Sequence, residues 1–158
     1  MNGIRAYVDT SVFGGTRDDE FAEASGLFFD RVRSGEVIAL ISQVALDELR
    51  FAPAAVRSVL DELPGETVER VIIDDCVAAL AAAYLRAKVV GATAQDDALH
   101  VAAATVAQAD LIVSWNFRHI VNFERIRMFN DVNRAHRHAM IDIRSPLEIV
   151  YGGQEQDI

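Results

Sequence analysis

The chain has 158 residues, of which 51% are hydrophobic and 25% charged, with a formal net charge of −9 and a single cysteine, Cys76. That length suits one compact domain burying roughly 68–70% of its unfolded surface, so no disulfide framework or multi-cysteine zinc site is needed, and one cysteine could build neither. The composition excludes a disordered chain, no apolar run approaches the ~20 residues of a membrane span, and the first residues lack the pattern of a signal peptide.

The expectation is a soluble, cytoplasmic protein with one domain over 1–150 and a short polar tail over 151–158. Ile4 to Val8 reads as a buried strand that enters a loop at Asp9-Thr10-Ser11, with Gly14-Gly15 following. A helical pattern runs from about Glu20 to Arg33 and stops at Ser34-Gly35. Val37 to Ile41 is a second buried strand, and Ser42 is suited to cap a helix that carries Val44, Ala45 and Leu49. Pro53 can open a further helix, closed by Pro64-Gly65. Val68 to Ile73 reads as a third, less buried strand. Cys76 to Val90 is alanine-rich and helical, ending at Gly91. Thr93 to Asp96 has capping-box spacing ahead of an almost wholly apolar helix, Asp97 to Ala107, whose composition predicts burial. Leu111 to Val113 is a short strand leading into Ser114-Trp115-Asn116. A helix over Phe123 to His136 and a strand over Met140 to Ile143 complete the pattern. Strands alternating with helices predict a three-layer α/β/α sandwich around a mainly parallel sheet.

Nucleic-acid partners favour basic chains, since phosphate neutralisation supplies most of the affinity. In an acidic chain the distribution of charge decides the matter. Lys88 is the only lysine; Arg118, Arg125, Arg127, Arg134 and Arg137 fall in one stretch with His119, His136 and His138, against only Glu124 and Asp131. A solvated helix face and a nucleic-acid contact are both consistent with that stretch.

Ligands of parallel sheets bind outside the carboxyl ends of the strands. Asp9 sits at such an end, Asn116 lies just past another, and Asp97 opens a helix whose N-terminus faces the same edge. Glu48 is about six residues past Ser42, ~9 Å along a helix at 1.5 Å per residue, and reaches the rim only if that helix starts late or projects above the sheet. Carboxylates gathered this closely repel unless protons or cations compensate them, and an all-oxygen site suits Mg2+ or Mn2+. Such an ion activates water and stabilises charge on a phosphodiester. Each acid also has a plainer explanation: the helix macrodipole for Asp97, a turn for Asp9, and a surface position beside Arg50 for Glu48.

With Asp9-Thr10-Ser11, Glu48 in SQVALDEL, Asp97 in DALHVAAA and the following LIVSWN, the chain resembles PIN-domain proteins, and most of all VapC-type toxins of toxin–antitoxin pairs. The resemblance runs from Ile4 to about Val150. It implies a metal-dependent endoribonuclease in which Asp9, Glu48 and Asp97 hold Mg2+ or Mn2+, with Thr10 or Ser11 supporting Asp9. Asn116 occupies a position that is often Asp in the family; it keeps an oxygen but loses a charge, so one ion assisted by Asn116 is expected rather than two. Asp96 is left as a cap, and His100, at i+3 from Asp97, as a supporting or core residue or an RNA contact. The resemblance also implies an RNA substrate, an antitoxin partner and a homodimer.

Other phosphate chemistries fit less well. A haloacid-dehalogenase-like phosphatase needs an Asp where Ser11 stands. A response-regulator receiver needs a late lysine, and Lys88 lies within a helix pattern. A PIN-like binding module with little catalysis is the alternative from another class, motivated by Asn116 and the −9 charge.

Overall fold

A computed structural model describes residues 3–152. Among them, five strands form one all-parallel sheet in the order β3-β2-β1-β4-β5. The strands are β1 (Ile4–Val8), β2 (Val37–Ser42), β3 (Val68–Val71), β4 (Leu111–Val113) and β5 (Asp142–Arg144). The helices are α1 (Thr10–Gly15), α2 (Ala22–Arg33), α3 (Gln43–Arg50), α4 (Ala54–Asp61), α5 (Asp75–Arg86), α6 (Gln95–Val106), α7 (Phe123–Ala135) and α8 (Pro146–Tyr151).

Alternation along the central strands sends their side chains into two separate cores. Tyr7, Leu40, Ile112 and Ile143 point to the face covered by α5, α6 and α7. Ala6, Val8, Ala39, Ile41 and Val113 point to the opposite face, covered by α1 to α4 and α8. A parallel strand buried on both faces has no polar side to show, which is why β1 and β2 read as continuous apolar runs. The expected three-layer α/β/α sandwich is therefore the fold. No helix among the described residues is long and apolar enough to cross a membrane.

Strand order reverses between β1 and β4: from β1 the chain winds outward through β2 and β3, then returns to build β4 and β5 on the other side. That reversal opens the crevice in which such sheets place their ligands. The register fixes what lies there. Val8 pairs with Val113, so Asp9 is the first residue beyond the pair and its N–H donates to the Val113 carbonyl at 3.0 Å.

Several element boundaries differ from those read from the sequence, each for a local reason. The residues after Asp9 form a short helix, α1, instead of a loop, because Val12 and Phe13 are both buried in the second core. β3 stops at Val71, leaving Ile72 exposed. α5 begins at Asp75 with Asp74 as its cap and ends at Arg86, four residues before the predicted end; Lys88 turns left-handed (φ 59°) and folds Val89 back into the core. The Lys88 and Val89 N–H groups donate to the Leu85 and Tyr84 carbonyls, a Schellman ending with lysine in the usual glycine place. Thr93 caps nothing: α6 starts at Gln95 with Ala94 before it and no side-chain cap. β5 is shifted to Asp142–Arg144. Past it, Ser145-Pro146-Leu147-Glu148 opens α8, where the Glu148 carboxylate accepts from the Ser145 N–H at 3.4 Å. Tyr151, assigned to the polar tail, closes α8, and 153–158 lie outside the described residues.

Candidate active site

Asp9 is buried at the end of β1, and one of its oxygens is held by two hydroxyls. Ser11 and Ser114 each donate to Oδ2 at 2.7 Å. Ser11 also accepts from the Trp115 N–H at 2.9 Å, tying the start of α1 to the residues after β4. The other oxygen, Oδ1, faces His100 Nε2 at 3.5 Å.

Glu48 does reach the rim, although α3 starts immediately after Ser42, whose Oγ accepts from the Ala45 N–H at 3.3 Å. The helix therefore rises above the carboxyl edge, and Glu48 meets Thr10 at the start of α1. Its Oε1 accepts from the Thr10 hydroxyl and faces His100 Nε2, both at 2.6 Å. The ligand atoms of Asp9, Glu48 and His100 all lie within 4.8 Å of one another.

His100 is fully buried, and its second nitrogen, Nδ1, lies 2.7 Å from the Tyr7 hydroxyl, itself 2.6 Å from Ser42 Oγ. A buried polar chain therefore runs from the acids through the imidazole to the cap of α3. Burial alone drives the His100 pKa down, but the Glu48 hydrogen bond and the charges of Asp9, Glu48 and Asp97 outweigh it and hold it above its ordinary value. Burial pushes Glu48 up, while the His100 hydrogen bond and charge and the Thr10 hydroxyl pull it below its usual range. Burial also pushes the Tyr7 phenol well above its ordinary value, against the Ser42 hydrogen bond. The raised pKa favours the imidazolium form, whose positive charge would offset the two neighbouring carboxylates.

Asp97 stands beside this cluster and is engaged elsewhere. Its Oδ1 accepts from Asn116 Nδ2 at 3.2 Å and its Oδ2 contacts His119 Nδ1 at 2.8 Å. Three residues of helix turn through 300°, so Asp97 and His100 diverge by about 60°: one faces the end of β4, the other the end of β1. Asn116 is engaged at both ends of its carboxamide. Its Oδ1 accepts from the His119 N–H at 2.9 Å, and since a backbone N–H can only donate, the amide nitrogen is the end turned to Asp97. The carboxamide therefore anchors its own loop.

Tyr7, Ser42, Ser114 and His119 are site residues that the sequence reading did not single out as such. The signal for Tyr7 was present, as a lone hydroxyl in an apolar strand; that for Ser114 was its place between β4 and Asn116. Nothing in the spacing indicated that His119 would meet Asp97. The basic stretch is also spread along α7: Arg118 precedes the helix, Arg125, Arg127 and Arg134 lie on it, and Arg137 follows its end.

The donor set suits a divalent cation. Asp9 Oδ1 and Glu48 Oε2 accept no hydrogen bond from a hydroxyl or a backbone N–H among the described residues, and the His100 imidazole nitrogen stands with them, 3.5 Å from Asp9 Oδ1. Such an ion would replace the His100 proton as the neutralising charge.

No protein-family model and no curated protein matches the chain. Among solved structures, it is similar to VapBC2 from Rickettsia felis bound to a DNA fragment from their promoter, at TM-score 0.54 and 13% identity over 90% of this chain and 98% of that one. It is also similar to tyrosyl-tRNA synthetase from Aeropyrum pernix, at TM-score 0.48 and 13% identity over 90% of this chain and 52% of that one; at that score the likeness carries no argument. The first likeness, taken with the sheet order, shows a PIN-like fold.

Proposed function

We propose that the protein is a metal-dependent endoribonuclease that hydrolyses RNA phosphodiesters, acting in the cytoplasm as the toxin of a toxin–antitoxin pair. The observation that carries this reading is the convergence of Asp9, Glu48 and His100 at the carboxyl rim where the strand order reverses. The fold likeness to VapBC2 supports the toxin–antitoxin half and an antitoxin partner; a homodimer belongs to the proposal on the sequence resemblance alone.

Asp9 and Glu48 would hold Mg2+ or Mn2+, with Asp97 close enough to add its charge. A bound divalent ion supplies water activation and neutralises charge developing on the phosphate. The protein's own contribution is positional. Ser11 and Ser114 fix one oxygen of Asp9 and leave the other forward, Thr10 orients Glu48, and His100 turns Nε2 toward both acids.

Purified protein should cleave a mixed single-stranded RNA pool with Mn2+, lose that activity in EDTA, and lose it again as Asp9→Asn. Mn2+ at 100 times its dissociation constant should also stabilise the fold by about 2.7 kcal/mol, an effect absent in Asp9→Asn. Equal cleavage by the variant would assign the activity to a contaminant. A second reading, a PIN-like binding module with little catalysis, draws on Asn116, whose carboxamide is committed to its loop. Failure of wild type to bind Mn2+ or to cleave would favour it.

A further inference from the structure

The loop from β4 to α7 and the start of α7 carry two exposed aromatic rings with arginines beside them, and one exposed acid, Glu124, next to Phe123. Phe117 is 47% exposed and Phe123 72% exposed, and Arg118 and Arg127 lie beside them on the surface. The Arg127 guanidinium sits 5.7 Å from the centre of the Phe123 ring. Neither Arg118 nor Arg127 makes an ion pair among the described residues, as is true of most of the chain's arginines, so both guanidinium groups are free to meet an anion. In a chain of net charge −9, the feature of this surface is the pairing of two exposed rings with two guanidinium groups that no carboxylate holds.

The seat beneath Phe117 is rigid. Trp115 is buried, stacks on Phe21 with centroids 4.1 Å apart, and donates from Nε1 to Ser25 Oγ at 2.8 Å. The Phe117 ring packs edge-on to Trp115 at 6.0 Å. The Asn116 carbonyl accepts from the Ile120 and Val121 N–H groups, and the Asn122 side chain reaches the Phe117 carbonyl at 3.4 Å. An exposed ring already held in place incurs little ordering cost when a flat ligand stacks on it. The platform begins one residue after Asn116, which holds Asp97.

We propose that Phe117, Arg118, Phe123 and Arg127 form a platform for single-stranded nucleic acid, with unpaired bases stacked on the two phenyl rings and phosphates met by the two guanidinium groups. Stacking on exposed aromatics beside basic groups is how unpaired strands are held without sequence readout. In duplex RNA the bases are already stacked and their faces closed to such rings. The proposal rests on the nuclease reading and names, outside the acid cluster, the side chains that would hold the strand.

Binding of a fluorescently labelled single-stranded RNA, measured by anisotropy in EDTA so that metal-dependent cleavage is absent, tests the platform separately from catalysis. Wild type should bind the single strand more tightly than the same sequence as a duplex. Phe117→Leu and Phe123→Leu should each weaken binding, by up to roughly 5- to 150-fold as the stacking of one base is lost. Phe117→Trp should restore it, and thermal melting should confirm that each variant folds. Equal affinity for single strand and duplex, unchanged affinity in both leucine variants, or no binding by folded wild type would each overturn the platform. Intact stacking-dependent binding in a protein that never cleaves would instead sink the nuclease reading and leave the platform standing.

Discussion

Gly15→Ala places one methyl group where three atoms already sit. A Cβ there would stand 2.5 Å from Ser25 Oγ and 2.7 and 2.9 Å from Nε1 and Cδ1 of Trp115. None of these is the free end of a flexible chain: Ser25 is fully buried, and the indole is stacked on Phe21 and hydrogen-bonded to Ser25. Overpacking of this kind costs about 1–3 kcal/mol, and losing the Trp115–Ser25 hydrogen bond adds about 0.5–1.5 kcal/mol. Alanine recovers up to ~1 kcal/mol through its helix propensity. With each term near the middle of its range and the propensity gain near its maximum, the net cost is about 2 kcal/mol, and at ~2–4 °C per kcal/mol for a chain of this size the melting temperature should fall by roughly 4–8 °C. Trp115 is the only tryptophan, so its emission reports the same event without a label and should shift as the ring is displaced. Because the Trp115 N–H is bonded to Ser11, and Ser11 to Asp9, RNA cleavage should fall more than the loss of folded protein explains. A melting temperature within 1 °C of wild type together with unchanged emission would refute the packing argument.

Three further outcomes follow from the buried chain and the helix ends. The raised His100 pKa gives stability that is present below its ordinary 6.5 and lost as pH rises through the raised value; the lowered Glu48 pKa gives stability that is present above 4.5 and lost as pH falls through the lowered one. Urea unfolding in EDTA should therefore show the largest gap between wild type and Glu48→Gln between about pH 4.5 and 6.5, about 1.5–3 kcal/mol for a hydrogen bond to a charged group; a gap that widens with alkalinity would contradict the charged pair. Tyr7→Phe removes the link between His100 Nδ1 and Ser42, leaves buried polar atoms without a partner, and should cost about 1–3 kcal/mol in the same assay. Lys88→Gly relieves a left-handed residue at about 1–2 kcal/mol, partly offset by unfolded-chain entropy. It should raise the melting temperature by about 1–4 °C, and a decrease would show that the lysine side chain contributes at that position.

Much of the fold was legible because parallel strands sandwiched between helix layers must be apolar on both sides. Ile4–Val8, the run from Val37 and Leu111–Val113 were visible for that reason. What composition conceals is whether an apolar residue is buried: Ile72 prolonged the predicted third strand yet is exposed, while Val89 and Val90 prolonged a predicted helix yet reach the core after it has ended. α1 and α8 are six residues each, too short to show a period, and are held by tertiary burial and capping. In the candidate site, Asp9 was legible because an apolar strand delivers it to the rim. The division of labour between Asp97 and His100 was not, since it depends on which of two strand ends each residue faces across α6.

The reversal between β1 and β4 also bears on how the protein is made. Ala6 pairs with Ala39 across 33 residues of chain but with Leu111 across 105. Contacts of such high sequence separation form slowly, because the loop must close before the contact contributes. On the ribosome, Asp9, Glu48 and His100 are all synthesised before β4 exists, so β1 has an unpaired edge and Asp9 lacks the Ser114 hydroxyl until the polymer has passed residue 114. A nascent or truncated chain ending short of Asp110 thus carries the chemical groups of the site without the geometry, and would expose the flank of β1 as a template for mispairing.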